Sequence, residues 1–148
     1  MLFSGAYSHT VDNKGRTVIP SRFRSKLGER FCITRGMHGC LWVFSDEAWR
    51  DFQKMLTPKS LLDGNGLKLE RFFVGSAVEC APDGQGRIFV PQNLRDYAGI
   101  KDNIWVVGLG NKVEIWSDVK WQEFNNALTD DVIEQLGANL QKQEQVFA

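Results

Sequence analysis

Two similar nine-residue segments, which share Asp, Gly, Arg and Pro at equivalent positions, constrain this chain more than any other feature of its sequence. DNKGRTVIP at residues 12–20 recurs as DGQGRIFVP at residues 83–91, and the downstream segment FSDEAWRDF at 44–52 recurs as WSDVKWQEF at 116–124. Self-similarity at a nearly fixed period of this length indicates a duplicated supersecondary unit. We therefore expect the chain of 148 residues to fold as two related halves, each built around one copy of the motif.

Each copy of the motif has the composition of a tight turn between two strands. In the first copy, YSHTV alternates as a half-buried strand does, and the β-branched residues of RTVIP form a second strand that ends at Pro20. Asp12 can accept hydrogen bonds from the backbone N–H groups that follow it, and Gly15 can adopt the positive φ that such a turn requires. Asp83 and Gly86 hold the same positions in the second copy. We predict a β-hairpin at the start of each half.

The remaining segments of each half predict a short helix, two strands and a closing helix. The short helices SRFRSKLG and QNLRDYAG end at glycines, and the closing helices start at Ser45 or Asp46 and at Ser117 or Asp118. Between the halves, TPKSLLDGNG has the composition of a linker and LKLERFF that of a short helix. The predicted ranges are a first repeat at 1–56, a linker with a short helix at 57–71, a second repeat at 72–128 and a C-terminal helical tail at 129–148. This pattern predicts an α+β fold, mainly β, with pseudo-two-fold symmetry.

The charge of the chain is balanced overall but unevenly distributed. It has 18 Lys and Arg residues and 18 Asp and Glu residues, which argues against a protein that coats nucleic acid by bulk charge alone. Residues 1–36 nevertheless contain seven basic and two acidic residues, so that segment carries a net charge of +5. No apolar run reaches the length of a membrane span, and the start of the chain lacks the pattern of a secretory signal. We expect a cytosolic protein that does not enter membranes.

The sequence contains no pattern typical of a catalytic or metal-binding site. The three cysteines form neither a CxxC pair nor an even disulfide set, and the two histidines do not lie at metal-ligand spacing from them. No glycine-rich phosphate loop of the P-loop or Rossmann type occurs, and GQGR is too short to be one. We predict that the chain is not an enzyme, has no small-molecule substrate and requires no cofactor or metal.

The Asp-x-x-Gly-Arg turn, followed by β-branched residues and a proline, resembles the motif of the swapped-hairpin bacterial transcription factors typified by AbrB. In that family two such hairpins interleave. Two copies in one chain, each followed by a short helix, two strands and a helix, resemble the MraZ family, whose signature is a pair of DxxxR motifs. Here these motifs run from Asp12 to Arg16 and from Asp83 to Arg87, and the resemblance covers nearly the whole chain. It implies two fused swapped-hairpin halves.

The resemblance to the MraZ family also implies a specific function. Proteins of this family are bacterial DNA-binding regulators encoded at the head of the division and cell-wall gene cluster; they assemble into rings and bind short direct repeats upstream of their own operon. The implied partners are double-stranded promoter DNA and further copies of this chain, and the implied location is the cytoplasm, associated with the nucleoid. In the family the DxxxR motifs line the DNA-facing surface, and the matching positions here are Asp12, Lys14, Arg16, Asp83 and Arg87.

The chemistry of the side chains around the turns extends this set of candidates. Lys14 and Arg16 can reach phosphates or the acceptor edge of guanine, and Gln85 and Arg87 take their places in the second copy. Arg22 and Arg24 lie on the short helix after the first turn, where a basic solvent-facing surface is equally expected. We predict DNA contacts from Lys14, Arg16, Arg22, Arg24, Gln85 and Arg87, and turn-holding roles for Asp12, Gly15, Asp83 and Gly86.

The sequence leaves two alternatives open. Because an acid and a base flank each turn, ion pairs of Asp12 with Arg16 and of Asp83 with Arg87 could hold the hairpins together, with the arginines shared between this role and DNA. An oligomeric protein-interaction module, antitoxin-like or scaffolding, could also be built from two such halves without specific DNA binding. If DNA is bound, we expect more of the phosphate contact from the first hairpin and more of the assembly or positioning from the second, since the second copy offers fewer cations.

Overall fold

The computed structural model describes residues 2–147, which form eight strands and six α-helices. The strands are β1 (Phe3–Thr10), β2 (Arg16–Val18), β3 (Phe31–Arg35), β4 (Leu41–Ser45), β5 (Val78–Cys80), β6 (Arg87–Phe89), β7 (Asn103–Gly110) and β8 (Val113–Ser117). The helices are α1 (Ser21–Leu27), α2 (Asp46–Leu56), α3 (Gly64–Phe73), α4 (Gln92–Ala98), α5 (Asp118–Ala127) and α6 (Asp130–Phe147). Short 3-10 turns occur at Met37–Gly39 and Val74–Ser76. The predicted α+β class, mainly β, is confirmed.

The chain forms two compact units. The first ends at Asp118 and contains all the strands described above together with helices α1 to α4. The second begins at Val119 and comprises most of α5 and all of α6. Within residues 2–147, no helix combines the length and the hydropathy needed to cross a bilayer. Both motif turns belong to the first unit.

The main sheet of the first unit has the symmetry that the duplication predicts. Its six strands follow the order β1-β7-β8-β4-β3-β5, and neighbouring strands are antiparallel. Exchanging the two halves converts β1 into β5, β7 into β3 and β8 into β4, so the order reads the same from either edge. The pseudo-two-fold axis therefore passes between β4 and β8, where the halves join.

The prediction of a local hairpin in each half is wrong in one respect, because the strands on either side of a turn do not pair with each other. β1 pairs with β7 along its whole length, from Phe3 opposite Gly110 to Thr10 opposite Asn103. β2 pairs instead with β6, the equivalent strand of the other half, in a separate two-stranded sheet. This exchange buries Thr17 and Ile88 at the centre of the short ladder. The halves are thus interleaved, as the swapped-hairpin resemblance implies.

The core repeats the same positions in both halves. Residues separated by 71 positions are buried in pairs, which are Thr17 with Ile88, Ile19 with Val90, Phe23 with Leu94 and Leu27 with Ala98. In each half they come from the strand after the turn and from one face of the short helix that follows it. These helices start directly after Pro20 and Pro91 and end at Gly28 and Gly99, both of which have positive φ. The core thereby anchors the strand and the short helix that follow each turn.

Aromatic side chains pack α2 and α3 onto the main sheet. Trp42 of β4 stacks on Phe73 of α3, with ring centroids 5.4 Å apart. Phe44 of β4 stacks on Phe52 of α2, with centroids 5.1 Å apart. Aromatic contacts of this kind add to the stabilisation that burial of the rings already provides. The segment between the halves is therefore structured at its helical end and is packed into the first unit.

Candidate nucleic-acid interface

The first motif turn is closed by a single carboxylate. Oδ1 of Asp12 accepts hydrogen bonds from the backbone N–H groups of Lys14 and Arg16, both at 2.9 Å. Oδ2 of Asp12 accepts the side-chain Nε–H of Arg16, also at 2.9 Å. Backbone bonds from Asp12 N to Arg16 O and from Gly15 N to Asp12 O complete the turn. The spacing of the motif is thus explained by one side chain that binds the peptide groups and arginine of its own turn.

The second motif turn reproduces this geometry. Oδ1 of Asp83 accepts the N–H groups of Gln85 and Arg87 at 2.8 and 2.9 Å, and Oδ2 accepts Nε–H of Arg87 at 2.8 Å. Equivalent backbone bonds join Asp83 to Arg87 and Gly86 to Asp83. The lysine-to-glutamine difference between the motifs leaves the turn unchanged, because that position contributes only its backbone N–H.

Hydrogen bonding lowers the pKa of both aspartate carboxyl groups. For Asp12, whose ordinary value is 3.8, the largest cause is the backbone N–H of Arg16. For Asp83 the backbone N–H and then the guanidinium of Arg87 lower the pKa to about 2. Both carboxylates are therefore ionised at neutral pH, and each fixes the direction of the arginine beside it.

Each motif arginine keeps its outer guanidinium edge available. Arg16 and Arg87 use Nε to bind their aspartates, and their side chains are each 38% exposed. Among the side chains of residues 2–143 and the backbone of residues 2–147, no group accepts a hydrogen bond from their terminal Nη1 and Nη2 nitrogens. The ion pair and the DNA-binding role considered above are therefore compatible, since the aspartate occupies one edge of the guanidinium and leaves the other.

The pairing of β2 with β6 brings the two arginines onto one surface. Thr17 lies opposite Ile88 and both side chains point into the core, so the flanking residues of each strand point outward. This outward set, called the ribbon face below, consists of Arg16, Val18, Arg87 and Phe89. Two residue steps along the strands and one strand spacing across them separate the Cα atoms of Arg16 and Arg87 by roughly 8 Å.

The other candidate residues lie at different places around the ribbon face. Lys14 and Gln85 are exposed at the tips of their turns. Arg22 is exposed on α1; its Nη1 donates to the hydroxyl of Tyr7, and its guanidinium lies 5.7 Å from the centre of that ring. Arg24 is half-buried, and its guanidinium lies against Gly86 of the second turn. The structure thus groups Lys14 and Gln85 with the arginine turns and places Arg22 beside β1.

Two residues of this region were not among the sequence-based candidates. Phe89 is 54% exposed on the ribbon face, where it lies opposite Arg16. Arg95 of α4 lies against Gly15 of the first turn, as Arg24 lies against Gly86. The offset of 71 residues matches Arg95 with Arg24, so the duplication alone could have identified it once Arg24 was a candidate.

The described residues hold neither a metal site nor a reactive thiol. Among the side chains that the structure describes, those of residues 2–143, no group of three or more His, Cys, Asp or Glu is arranged to bind a metal ion. Cys32, Cys40 and Cys80 are free and buried. Burial raises the pKa of Cys32 to about 12 and that of Cys80 to about 11, and it also raises that of Cys40. These thiols remain protonated at neutral pH and act as small apolar side chains.

Comparison with known proteins places both halves in one family. The family described as "MraZ protein, putative antitoxin-like" matches residues 2–65 and 73–142. A transcriptional regulator MraZ of Thermoanaerobacter sp. (strain X514) is 41% identical over 139 residues, which cover 94% of this chain and 96% of the relative. The proteins of the same name from Moorella thermoacetica and Halothermothrix orenii are 41% and 42% identical, with coverage of 87% and 81% of this chain and 90% and 84% of the relatives.

The sequence matches and the interleaved fold agree on the identity of the chain. The matched segments contain both DxxxR turns, and the relatives align over most of their own length. The relatives are named transcriptional regulators and not enzymes. The chain belongs to the MraZ family, a family of transcriptional regulators.

Proposed function

We propose that the chain is a sequence-specific DNA-binding regulator that contacts DNA through the ribbon face and the two motif turns. The observation that carries this proposal is a pair of partly exposed guanidinium groups that are anchored to aspartates through Nε, with no hydrogen bond from Nη1 or Nη2 to the described side chains. A guanidinium held in this way is pre-organised for two parallel hydrogen bonds to a phosphate or to O6 and N7 of guanine. A two-stranded β-ribbon is also narrow enough to enter the major groove.

Lys14 and Gln85 complete the proposed DNA surface. Lys14 supplies a cation for a phosphate, and Gln85 can donate to a phosphate or read a base edge. The separation of roughly 8 Å between the two arginine Cα atoms corresponds to two or three base-pair steps. One chain would therefore read a short site. A longer target would require several chains side by side.

A single chain is expected to bind DNA weakly, and for this reason we propose that several copies form a ring-like homo-oligomer that binds direct repeats. The net charge of the chain is zero, so a single copy gains little from bulk electrostatics. Copies linked in one assembly would bind neighbouring repeats at high effective concentration. In the second unit, Ile133, Leu136 and Leu140 are 51%, 54% and 59% exposed at the spacing of one helix face, which is compatible with contact between copies. A strictly monomeric mass at micromolar concentration would rule the ring out.

The proposed target is the promoter of the chain's own division and cell-wall gene cluster, bound at short direct repeats. The family resemblance supports this target, and we propose that the protein acts in the cytoplasm in association with the nucleoid.

We also propose boundaries for the duplication. The first repeat covers 1–56 and the second covers 72–128, with the linker at 57–71 and the tail at 129–148.

A fluorescence titration at two salt concentrations tests the DNA proposal. The chain is titrated against labelled DNA from upstream of its own gene and against a shuffled sequence of equal length. We expect tighter binding to the native sequence and a steep loss of affinity as salt rises, because several phosphates are contacted at once. Equal, weak binding to both sequences would overturn sequence-specific regulation.

A protein-interaction module is the second candidate function. The description of the matched family includes the words "antitoxin-like", and antitoxins act by binding another protein. Purification of the chain with a stoichiometric protein partner, combined with equal binding to native and shuffled DNA, would favour this alternative over the DNA-binding proposal.

A further inference from the structure

The glycine of each motif turn is covered by an arginine from the other half of the chain. Gly15 has φ of +82° and is buried, and a Cβ atom there would lie 2.8 Å from Cζ, Nε and Nη2 of Arg95. Gly86 has φ of +79° and is also buried, and a Cβ atom there would clash with Nη1 of Arg24. The glycines therefore serve two purposes, a left-handed backbone and the close approach of a guanidinium.

On the first turn, this contact is part of a connected set of hydrogen bonds. Nε of Arg95 donates to the carbonyl oxygen of Val90 at 2.8 Å. The N–H of Val90 in turn donates to the carbonyl oxygen of Gly15 at 2.9 Å. Arg95 thus binds Val90, Val90 binds the turn, and the guanidinium of Arg95 packs on the same turn. Residues of the second half hold the turn that carries Lys14 and Arg16.

The second turn lacks the equivalent bonds. Nε of Arg24 is buried and has no hydrogen-bond partner among the described residues. No backbone bond within residues 2–147 joins Ile19 to Gly86 in the way that Val90 is joined to Gly15. Arg24 therefore packs on its turn without fixing it by hydrogen bonds. The two halves differ here although their motif turns have the same internal geometry.

We propose that Arg95 is a positioning residue for the DNA-contacting turn of the first half. Resting on the proposed DNA-binding function, this assigns to a second-half side chain the task of holding Lys14 and Arg16 in place. Arg95 acts through the bonds to Val90 and Gly15, and it need not contact DNA itself. An ordered turn loses little conformational entropy when its cations bind DNA. A mobile turn must become ordered on binding, and the entropy lost in that step lowers the affinity of the chain for DNA.

Titrations of native promoter DNA with single and double variants of the full-length chain test this proposal. Arg95→Gln is combined once with Arg16→Ala and once with Arg87→Ala. Arg95→Gln alone should weaken binding by about tenfold, as expected for the loss of one charge-assisted contact. Combined with Arg16→Ala, Arg95→Gln should weaken binding by clearly less than about tenfold, because one of the two cations that Arg95 positions is already gone and only Lys14 remains. Combined with Arg87→Ala, Arg95→Gln should weaken binding by the same factor of about ten as it does alone.

Two further variants separate positioning from other roles. Arg95→Lys keeps the positive charge but removes the planar guanidinium, so it should behave as Arg95→Gln does if the residue positions the turn, and as wild type if it contacts a phosphate. Arg24→Gln is the matched control on the other turn, and its effect should be independent of Arg16. The proposal would be overturned if the loss of DNA affinity in the double variant Arg95→Gln, Arg16→Ala equalled the product of the losses in the two single variants. Coupling of Arg24→Gln with Arg16→Ala would also overturn it.

Hydrogen exchange of the DNA-free chain provides a readout that does not depend on DNA binding. The amide of Val90 should exchange at least about tenfold faster in Arg95→Gln and Arg95→Lys than in wild type, while amides of the β1–β7 ladder should be unchanged. Unchanged exchange at Val90 would overturn the proposal whatever the titrations give. Faster exchange in a chain that does not prefer native DNA would refute the proposed function and leave the role of Arg95 in holding the turn standing.

Discussion

The two motif turns have the same internal structure and different surroundings. In both, one aspartate binds two backbone N–H groups and the Nε of its arginine, with distances that agree within 0.1 Å. The first turn adds an exposed lysine and is held from the other half by Arg95 and Val90. The second has Gln85 in place of the lysine and no equivalent bonds to Arg24. Duplication thus preserved the local structure of the turn while its charge and support diverged.

This difference predicts unequal contributions of the two arginines to DNA binding. Arg16→Ala should weaken binding to native promoter DNA by about 100-fold and Arg87→Ala by about tenfold, since Arg16 acts together with Lys14 on the better supported turn. Titrations of both variants at one salt concentration measure this. Arg50→Ala is the control, because Arg50 is exposed and pairs with Asp46 on α2. Equal losses for Arg16→Ala and Arg87→Ala would refute the division of roles between the turns.

Alanine at the turn glycines should destabilise the first unit. Gly15→Ala and Gly86→Ala each place a Cβ at positive φ and displace a guanidinium, for a cost of about 1–3 kcal/mol in the free energy of unfolding. Gly15→Ala should cost more, because it also disturbs the bond from Arg95 to Val90. Denaturant unfolding measures both. The control is Gly84→Ala, where a Cβ would meet nothing within 4 Å, and a loss there as large as at Gly15 would contradict the explanation.

Exchanging the residues at the turn tips should transfer a phosphate contact from the first turn to the second. Lys14→Gln should weaken DNA binding by about threefold to fivefold and lower the salt dependence by about one phosphate contact. Gln85→Lys should change both quantities in the opposite direction. The side chains are exposed and only their backbone N–H groups serve the turns, so thermal stability should not change. An unchanged salt slope in both variants would place the tips away from phosphates.

The smallest expected effect is the pH dependence of the turn aspartates. The pKa of Asp83 is lowered to about 2 from an ordinary value of 3.8, so its stabilising effect is fully present above pH 4 and is lost as the pH falls towards 2. The melting temperature of Asp83→Asn should lie below that of wild type at pH 5, and the two should converge near pH 2. Asp12→Asn should show the same trend, since the pKa of Asp12 is lowered as well. A difference in melting temperature between wild type and variant that does not change with pH would exclude the carboxylates as its cause.

Most of the local structure follows from the sequence, because local residues determine it. The turn glycines, the prolines before α1 and α4 and the N-cap of α2 by Ser45 all act within a few residues of themselves. Even so, α3 begins at Gly64, inside the segment assigned to the linker. Its start is fixed by Asp63, whose side chain accepts the N–H of Gly66. A capping aspartate in a glycine-rich segment has the same composition as a loop.

The features that the residue patterns alone did not predict depend on contacts between the halves. Alternation in YSHTV and RTVIP indicates strands but not their partners, so the pairing of β1 with β7 and of β2 with β6 could be expected only from the family resemblance. The packing of Arg95 on Gly15 depends on where α4 lies relative to a turn 80 residues earlier in the chain. Such contacts join residues far apart in sequence, and no local pattern encodes them.

Photo-cross-linking to native promoter DNA tests most directly whether the two motif turns form the DNA surface. A benzophenone side chain is placed at the exposed positions Asn13 and Gln85, one in each turn, and at the exposed control position Lys59. We predict cross-links from Asn13 and Gln85 that shuffled competitor DNA does not remove, and none from Lys59. Cross-links from Lys59 alone, or equal cross-links from all three positions, would contradict DNA recognition by the motif turns.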